Sequence, residues 1–132
     1  MSFGLEIEIE NARLKEHVRI ERSESGFRLS RAPFPFSEVT VHGNKLKGKL
    51  LARFSSLDGI TPNLNAILRA IETIAEYDQL KLKVGTFFEL QIDKRRGIVT
   101  AIGLVDMRRK VFKLSDLQRL ELGKIWRKIY EF

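Results

Sequence analysis

Apolar and polar residues alternate along most of this chain, and the alternation changes to a helical period at two places. Leu5, Ile7 and Ile9 interleave with Glu6, Glu8 and Glu10, which predicts a strand with an acidic outer face. Val18 and Ile20 alternate with Arg19 and Glu21 in a second strand. Ser23-Glu24-Ser25-Gly26 reads as a turn, and Phe27 and Leu29 as a third strand. Pro33-Phe34-Pro35-Phe36 interrupts the ladder, because proline donates no hydrogen bond to it. Ser37 to His42 resumes a strand, and the turn at Gly43-Asn44 leads into Lys45 to Phe54.

The period then becomes helical. Leu64, Ile67, Leu68, Ile71, Ile74, Ala75 and Leu80 predict a helix over 62–79, with Thr61 as N-cap and Pro62 in the first turn. Lys81 to Val84 leads into a strand at Thr86 to Asp93, with Phe87 on the face of Glu89 and Gln91. Ile98 to Val105 is apolar on both faces, as in a central or interface strand, and Val111 to Leu114 is a last short strand. Ser115 and Gln118 have the form of a capping box for a helix over 116–131, carrying Leu117, Leu120, Leu122, Ile125, Trp126 and Ile129. Gly123 weakens that helix and suits close packing. Leu68, Ile71, Ile125 and Ile129 are expected in the core, and Trp126 mostly buried and away from any ligand.

The fold class is therefore α+β: two antiparallel sheet-then-helix units in one domain spanning 1–132, readable as pseudo-repeats at about 1–80 and 81–132. Gly43 precedes Thr61 by 18 residues, and Gly97 precedes Ser115 by the same 18. A shift of 54 superposes Leu50 on Leu104, Leu68 on Leu122 and Ile71 on Ile125, but sets Leu64 on Gln118.

Charge changes the picture at one stretch above all. In Lys45 to Phe54, Leu46, Gly48, Leu50, Ala52 and Phe54 share one face, and Lys45, Lys47, Lys49 and Arg53 the other. Cations on such a face stand about 7 Å apart, close to the phosphate spacing of an extended single strand. Such a row is either solvated and paired across the sheet or used to follow phosphates. The chain as a whole has 24 Lys and Arg against 17 Asp and Glu, a net charge of +7, which favours an anionic partner, nucleic acid before membrane. The turns Lys94-Arg95-Arg96 and Arg108-Arg109-Lys110 add two further cationic elements, and Phe34, Phe36 and Phe87 are either core residues or faces for stacking bases.

There is no cysteine, which removes disulfides, thiolate catalysis and thiolate zinc sites. Glu6, Glu8 and Glu10 lack a His or Asp at ligand spacing and read as a solvated or lysine-paired face, so no metal and no cofactor are expected. His17 and His42 sit among ordinary strand and turn residues. Glycine-rich phosphate loops and the common hydrolase motifs are missing, so a non-enzyme is expected. A carboxylate nuclease using Glu6, Glu8, Asp93 or Asp106 stands as the catalytic alternative. No apolar run has the length of a membrane span and no leader opens the chain. An intracellular, cytoplasmic protein is expected, and the richness in Ile, Leu, Lys, Arg and Glu suits a hot environment.

The basic hairpin Lys94-Arg95-Arg96-Gly97, the strand Lys110-Val111-Phe112-Lys113-Leu114-Ser115 and the helix with Trp126 together resemble the Whirly and Pur-alpha type of single-stranded nucleic-acid-binding domain. At the level of pattern the resemblance spans 17–132, and the extra strands and Pro-Phe-Pro-Phe of the first half depart from it. It implies two sheets, paired by packed helices, that present strands and hairpins to single-stranded DNA or RNA; DNA is expected before RNA, and a homo-oligomer, a dimer, is expected. The alternative is a structural or interaction subunit whose interface is the doubly apolar strand and the aromatic C-terminus.

Overall fold

The computed structural model describes residues 2–10, 12–16, 18, 20–23, 26–29, 38–50 and 53–131; for 20–23, 26–29 and Glu38 the backbone alone is described. The Pro-Phe-Pro-Phe stretch, with Phe34 and Phe36, lies outside these residues.

Alternation does become strand. The described strands are β1 (Leu5–Ile9), β2 (Arg13–Leu14), β3 (Ile20–Ser23), β4 (Gly26–Leu29), β5 (Glu38–His42), β6 (Lys45–Lys49), β7 (Ala75–Glu76), β8 (Gln79–Val84), β9 (Phe88–Asp93), β10 (Ile98–Gly103) and β11 (Arg109–Lys113). Nine of them form one antiparallel sheet in the order β11-β10-β9-β8-β1-β6-β5-β4-β3, and β2 pairs with β7 beside it. Two meanders, β3 to β6 and β8 to β11, thus meet on the two sides of β1 as parts of a single sheet. The register sets Ile7 between Gly48 and Leu82, and Glu8 between Lys47 and Lys81. Since side chains alternate, one register places every apolar residue of β1 on the same side as Leu46, Leu80, Leu82 and Val84.

That inner side is covered by three helices: α1 (Leu64–Glu72), α2 (Leu114–Leu117) and α3 (Leu122–Ile129). Leu64, Ile67, Leu68 and Ile71 of α1 and Leu122, Ile125 and Ile129 of α3 join the inner residues of the strands in one core, as their spacing predicts. Ile102 points to the opposite, outer side and is still only 3% exposed, as a strand apolar on both faces requires, but the strand ends at Gly103 and not at Val105: Leu104 and Val105 lie in the turn, and Val105 is 79% exposed. Among the described residues no helix is long and apolar enough to cross a membrane.

Both helix spans differ from expectation. The first begins at Leu64, not residue 62, and its N-cap is Asn63, whose Oδ1 accepts from the Ala66 N–H at 2.8 Å, rather than Thr61. It ends at Glu72, where Thr73 and Ile74 close the last turn, and Ala75 onward is extended. Ile74, Ala75 and Leu80 are buried as the helical period required, but from a turn and strands. The second helix is broken at 118–121 and starts at Lys113–Leu114, so Ser115 lies inside α2 instead of capping it. The break has a use. The Asn65 N–H, one of the donors a helix start leaves unpaired, donates to the Gln118 carbonyl at 2.8 Å, and the Leu122 N–H donates to Pro62 at 3.1 Å. An unbroken helix would occupy that carbonyl itself. The basic strand is shorter than 45–54: β6 ends at Lys49, Arg53 lies beyond it, and Phe54 makes a separate bridge with Phe3. Phe87 belongs to the turn before β9 and not to the strand.

Candidate nucleic-acid interface

The outer side of the sheet is where charge collects. Lys45, Lys47 and Lys49 of β6 project there, as alternation requires once Leu46 and Gly48 are buried. The register adds what a linear reading cannot. Glu6 stands between Lys49 and Lys83, and Glu8 between Lys47 and Lys81, so the acidic strand runs between two basic ones. Neighbouring strands lie about 4.8 Å apart, which brings each carboxylate beside two ammonium groups. Lys45 donates to Glu8 at 2.6 Å and approaches Glu10 at 3.8 Å. No described carboxylate lies within 4.0 Å of Lys47, Lys49, Lys81 or Lys83. A depression of about 340 Å³ opens over this part of β1, with those four lysines and Glu6, Glu8 and Glu89 on its walls.

The Lys45 hydrogen bond holds the Glu8 carboxyl below the ordinary carboxylate range, with the charges of Lys45, Lys47 and Lys81 adding to it against partial desolvation. A lowered folded value means that the stabilisation is complete above the unfolded carboxylate value and is lost as pH falls through the folded one. Lys45→Met should therefore return the Glu8 carboxyl upward, read by its side-chain resonance in a pH titration. An unchanged titration would remove Lys45 as the cause.

Lys81 and Lys83 were not among the expected site residues. Their signal was the strict alternation of Gln79-Leu80-Lys81-Leu82-Lys83-Val84, which is a strand in its own right. Lys113 was also missed. It lies on the outer side of β11 beside Val111 and Arg109, all three exposed. Gly103 donates its N–H to Arg108, and Leu114 donates to Gly97, so the hydrogen-bonded pairs of this ladder use the even-numbered residues of β11. The main-chain groups of Arg109, Val111 and Lys113 consequently point away from the sheet at its open edge.

The remaining expected cations separate by role. Lys94 is bonded to Glu72 and lies 4.7 Å over the Tyr77 ring, tying its turn to α1, while Arg95 and Arg96 beside it are exposed. Lys110 faces the helices and donates to the carbonyls of Lys128 at 3.2 Å and Glu131 at 2.7 Å, capping the end of α3. Arg108 lies 5.2 Å over the Tyr130 ring, and Arg53 is exposed near Phe54. Phe87 is partly buried in an aromatic row, 5.1 Å from Phe3 and 6.1 Å from Trp126.

Charge is distributed unevenly. Residues 94–132 hold 11 Lys and Arg against 4 Asp and Glu, and residues 1–93 hold 13 of each, so the whole excess of +7 lies in the last part of the chain. A larger depression of about 1230 Å³ beside β8 and β9 has mixed walls, with Glu76, Asp78 and Asp93 against Arg13, Arg95 and Arg96. Among the described residues no group of three or more His, Cys, Asp or Glu is placed to hold a metal ion. Comparison with protein-family models, curated proteins and solved structures found no match to this chain.

Proposed function

We propose that this protein binds single-stranded nucleic acid, DNA before RNA, along the outer face and β11 edge of its sheet. The observation that carries the reading is the location of the charge excess. Arg95, Arg96, Arg109 and Lys113 are exposed along one sheet edge and its neighbouring turn, and no described carboxylate lies within 4.0 Å of their side-chain nitrogens, Asp93 Oδ1 accepting only from the main-chain N–H of Arg96 at 3.1 Å. Cations without a carboxylate partner on a strand and its neighbouring turn are suited to phosphates, and the exposed outer positions of the described strands give bases room to lie. The expected row on β6 contributes less in this reading, because Glu6 and Glu8 accompany it. The two meanders, each followed by helix, are read as paired sheet-then-helix units of the Whirly and Pur-alpha kind.

A second reading, an interaction subunit, draws support from the open β11 edge, where Val111 is 62% exposed. Self-pairing of β11 about Val111 would set Arg109 opposite Lys113 of a second copy, so a homodimer is disfavoured at this edge.

Anisotropy titrations with matched single-stranded and duplex oligonucleotides across a salt series test the proposal. Each phosphate contact on a single strand adds about 0.7 to the slope of log K against log salt. Arg109→Gln with Lys113→Gln should flatten the slope by about 1.4, and Lys47→Gln with Lys49→Gln, at equal charge, by clearly less. Equal flattening by both pairs would reduce the effect to net charge, and preference for duplex would overturn the reading.

A further inference from the structure

We infer that the end of the sheet carrying the β10–β11 turn is a stacking subsite for an unpaired nucleobase and its phosphate. The inference deepens the nucleic-acid reading above and rests on it. Three observations meet there. Val105 is 79% and Met107 62% exposed, which is unusual for side chains that gain from burial. Met107 has φ 58°, and among the described residues it is the one non-glycine residue with positive φ, a conformation that costs energy and collects at functional places. Behind the turn runs an aromatic row, with Tyr130 4.8 Å from Trp126 and Trp126 6.1 Å from Phe87, all partly buried.

The exposed pair stands on a braced support. Asp106 Oδ1 accepts from the Arg108 N–H and from the Tyr130 hydroxyl, each at 3.1 Å, and the Leu104 N–H donates to Phe87 at 2.8 Å. Gly103 makes room for this, since a Cβ there would lie 2.4 Å from the Tyr130 hydroxyl. Arg108 over the Tyr130 ring and exposed Arg109 put guanidinium groups at the same end. Planar rings, two projecting apolar side chains and adjacent cations match a base with its phosphate, through stacking and wedging between bases. An anionic lipid surface would also meet cations and apolar side chains. Against it stands Asp106 between the two, whose carboxyl is held low chiefly by the Arg108 N–H and would carry its charge into the lipid.

Trp126 is the sole tryptophan, so its emission reports this site, and the expectation that ligand leaves it untouched is reversed. The full chain is titrated with a short oligothymidylate, with an abasic oligonucleotide of equal length, and with phosphatidylserine–phosphatidylcholine vesicles. Oligothymidylate should quench Trp126 along the same curve as anisotropy, and the abasic strand should bind without quenching. Met107→Gly removes the side chain while relieving its backbone. It should leave Tm unchanged or raised and weaken oligothymidylate about fivefold to tenfold, the low end of one stacked base. Val105→Ser should weaken it in the same direction. Binding with unchanged emission and no effect of either substitution overturns the subsite and leaves the functional reading standing. Absence of oligonucleotide binding overturns both, and an emission shift with vesicles alone assigns the turn to lipid and overturns the inference.

Discussion

Phe88→Ala is expected to cost about 3–5 kcal/mol, the range for removing a large aromatic from a closed core. Phe88 is fully buried at the start of β9, in register with Val84 and Gly103, and its ring stacks on Trp126 with centroids 5.6 Å apart and planes 28° from parallel. The loss is large against a total stability of about 5–15 kcal/mol for a domain. Urea unfolding should show the midpoint falling, and native Trp126 emission should move to the red as its stacking partner is lost. Phe87→Ala, one position earlier and partly exposed, should cost clearly less. Equal costs would mean that the strand register at this end is shifted by one residue, since a one-residue slip exchanges the two faces.

Gly123→Ala is the second large effect, and its sign is the informative part. In an exposed helix this change stabilises by about 1 kcal/mol, because alanine is the better helix former. At Gly123, however, an added Cβ would lie 2.3 Å from the Leu57 carbonyl oxygen and 3.2 Å from Asp58 Cα, which are main-chain atoms of the short 3-10 helix Leu57–Gly59. Main chain yields less easily than a side chain, so α3 must move away from that turn and loosen Leu122 and Ile125. Overpacking of this kind costs about 1–3 kcal/mol, and the clash lies at the severe end of it. A net loss of about 2 kcal/mol should lower Tm by roughly 5–10 °C for a chain of this size. The Arg127–Asp58 ion pair at 2.9 Å spans the same contact, but it is exposed on both sides and holds little of it. A stabilised variant would show that α3 and the 3-10 helix are not in contact.

The strands were legible because alternation is a local property. Leu5 to Ile9, Glu38 to His42 and Phe88 to Asp93 are each strands as expected, the first and the last with the expected buried face. Helix faces were legible for the same reason at Leu68, Ile71, Ile125 and Ile129. Helix ends were not. Ile74, Ala75 and Leu80 continue the helical spacing by coincidence, being buried from a turn and two strands, and nothing local to Gln118 announces that its carbonyl serves Asn65, 53 residues away. The candidate site was legible as charge, with its balance left open. Lys47 and Lys49 read either as a phosphate-following row or as a face paired across the sheet until the register set Glu8 and Glu6 beside them, and Lys110 read as a surface cation until α3 ended against it. Pairings of this kind belong to the topology, which a single pass along the chain does not contain.

The position of β1 has a consequence for how the molecule is made. The strand that begins the described chain is the seam of the sheet: it bonds β6 about 40 residues later and β8 more than 70 residues later. On a ribosome the first meander and β1 can pair while β8 is still being synthesised, which leaves the far side of β1, with its unpaired main chain, waiting for a partner. Long-range pairings of this sort place folding in the slow part of the range for small domains, milliseconds to seconds. The emergence of β8, and not the appearance of the first meander, is then the step that closes the sheet about β1. Cutting the protein between its two meanders would not yield two domains, because the strand that completes the second one travels with the first.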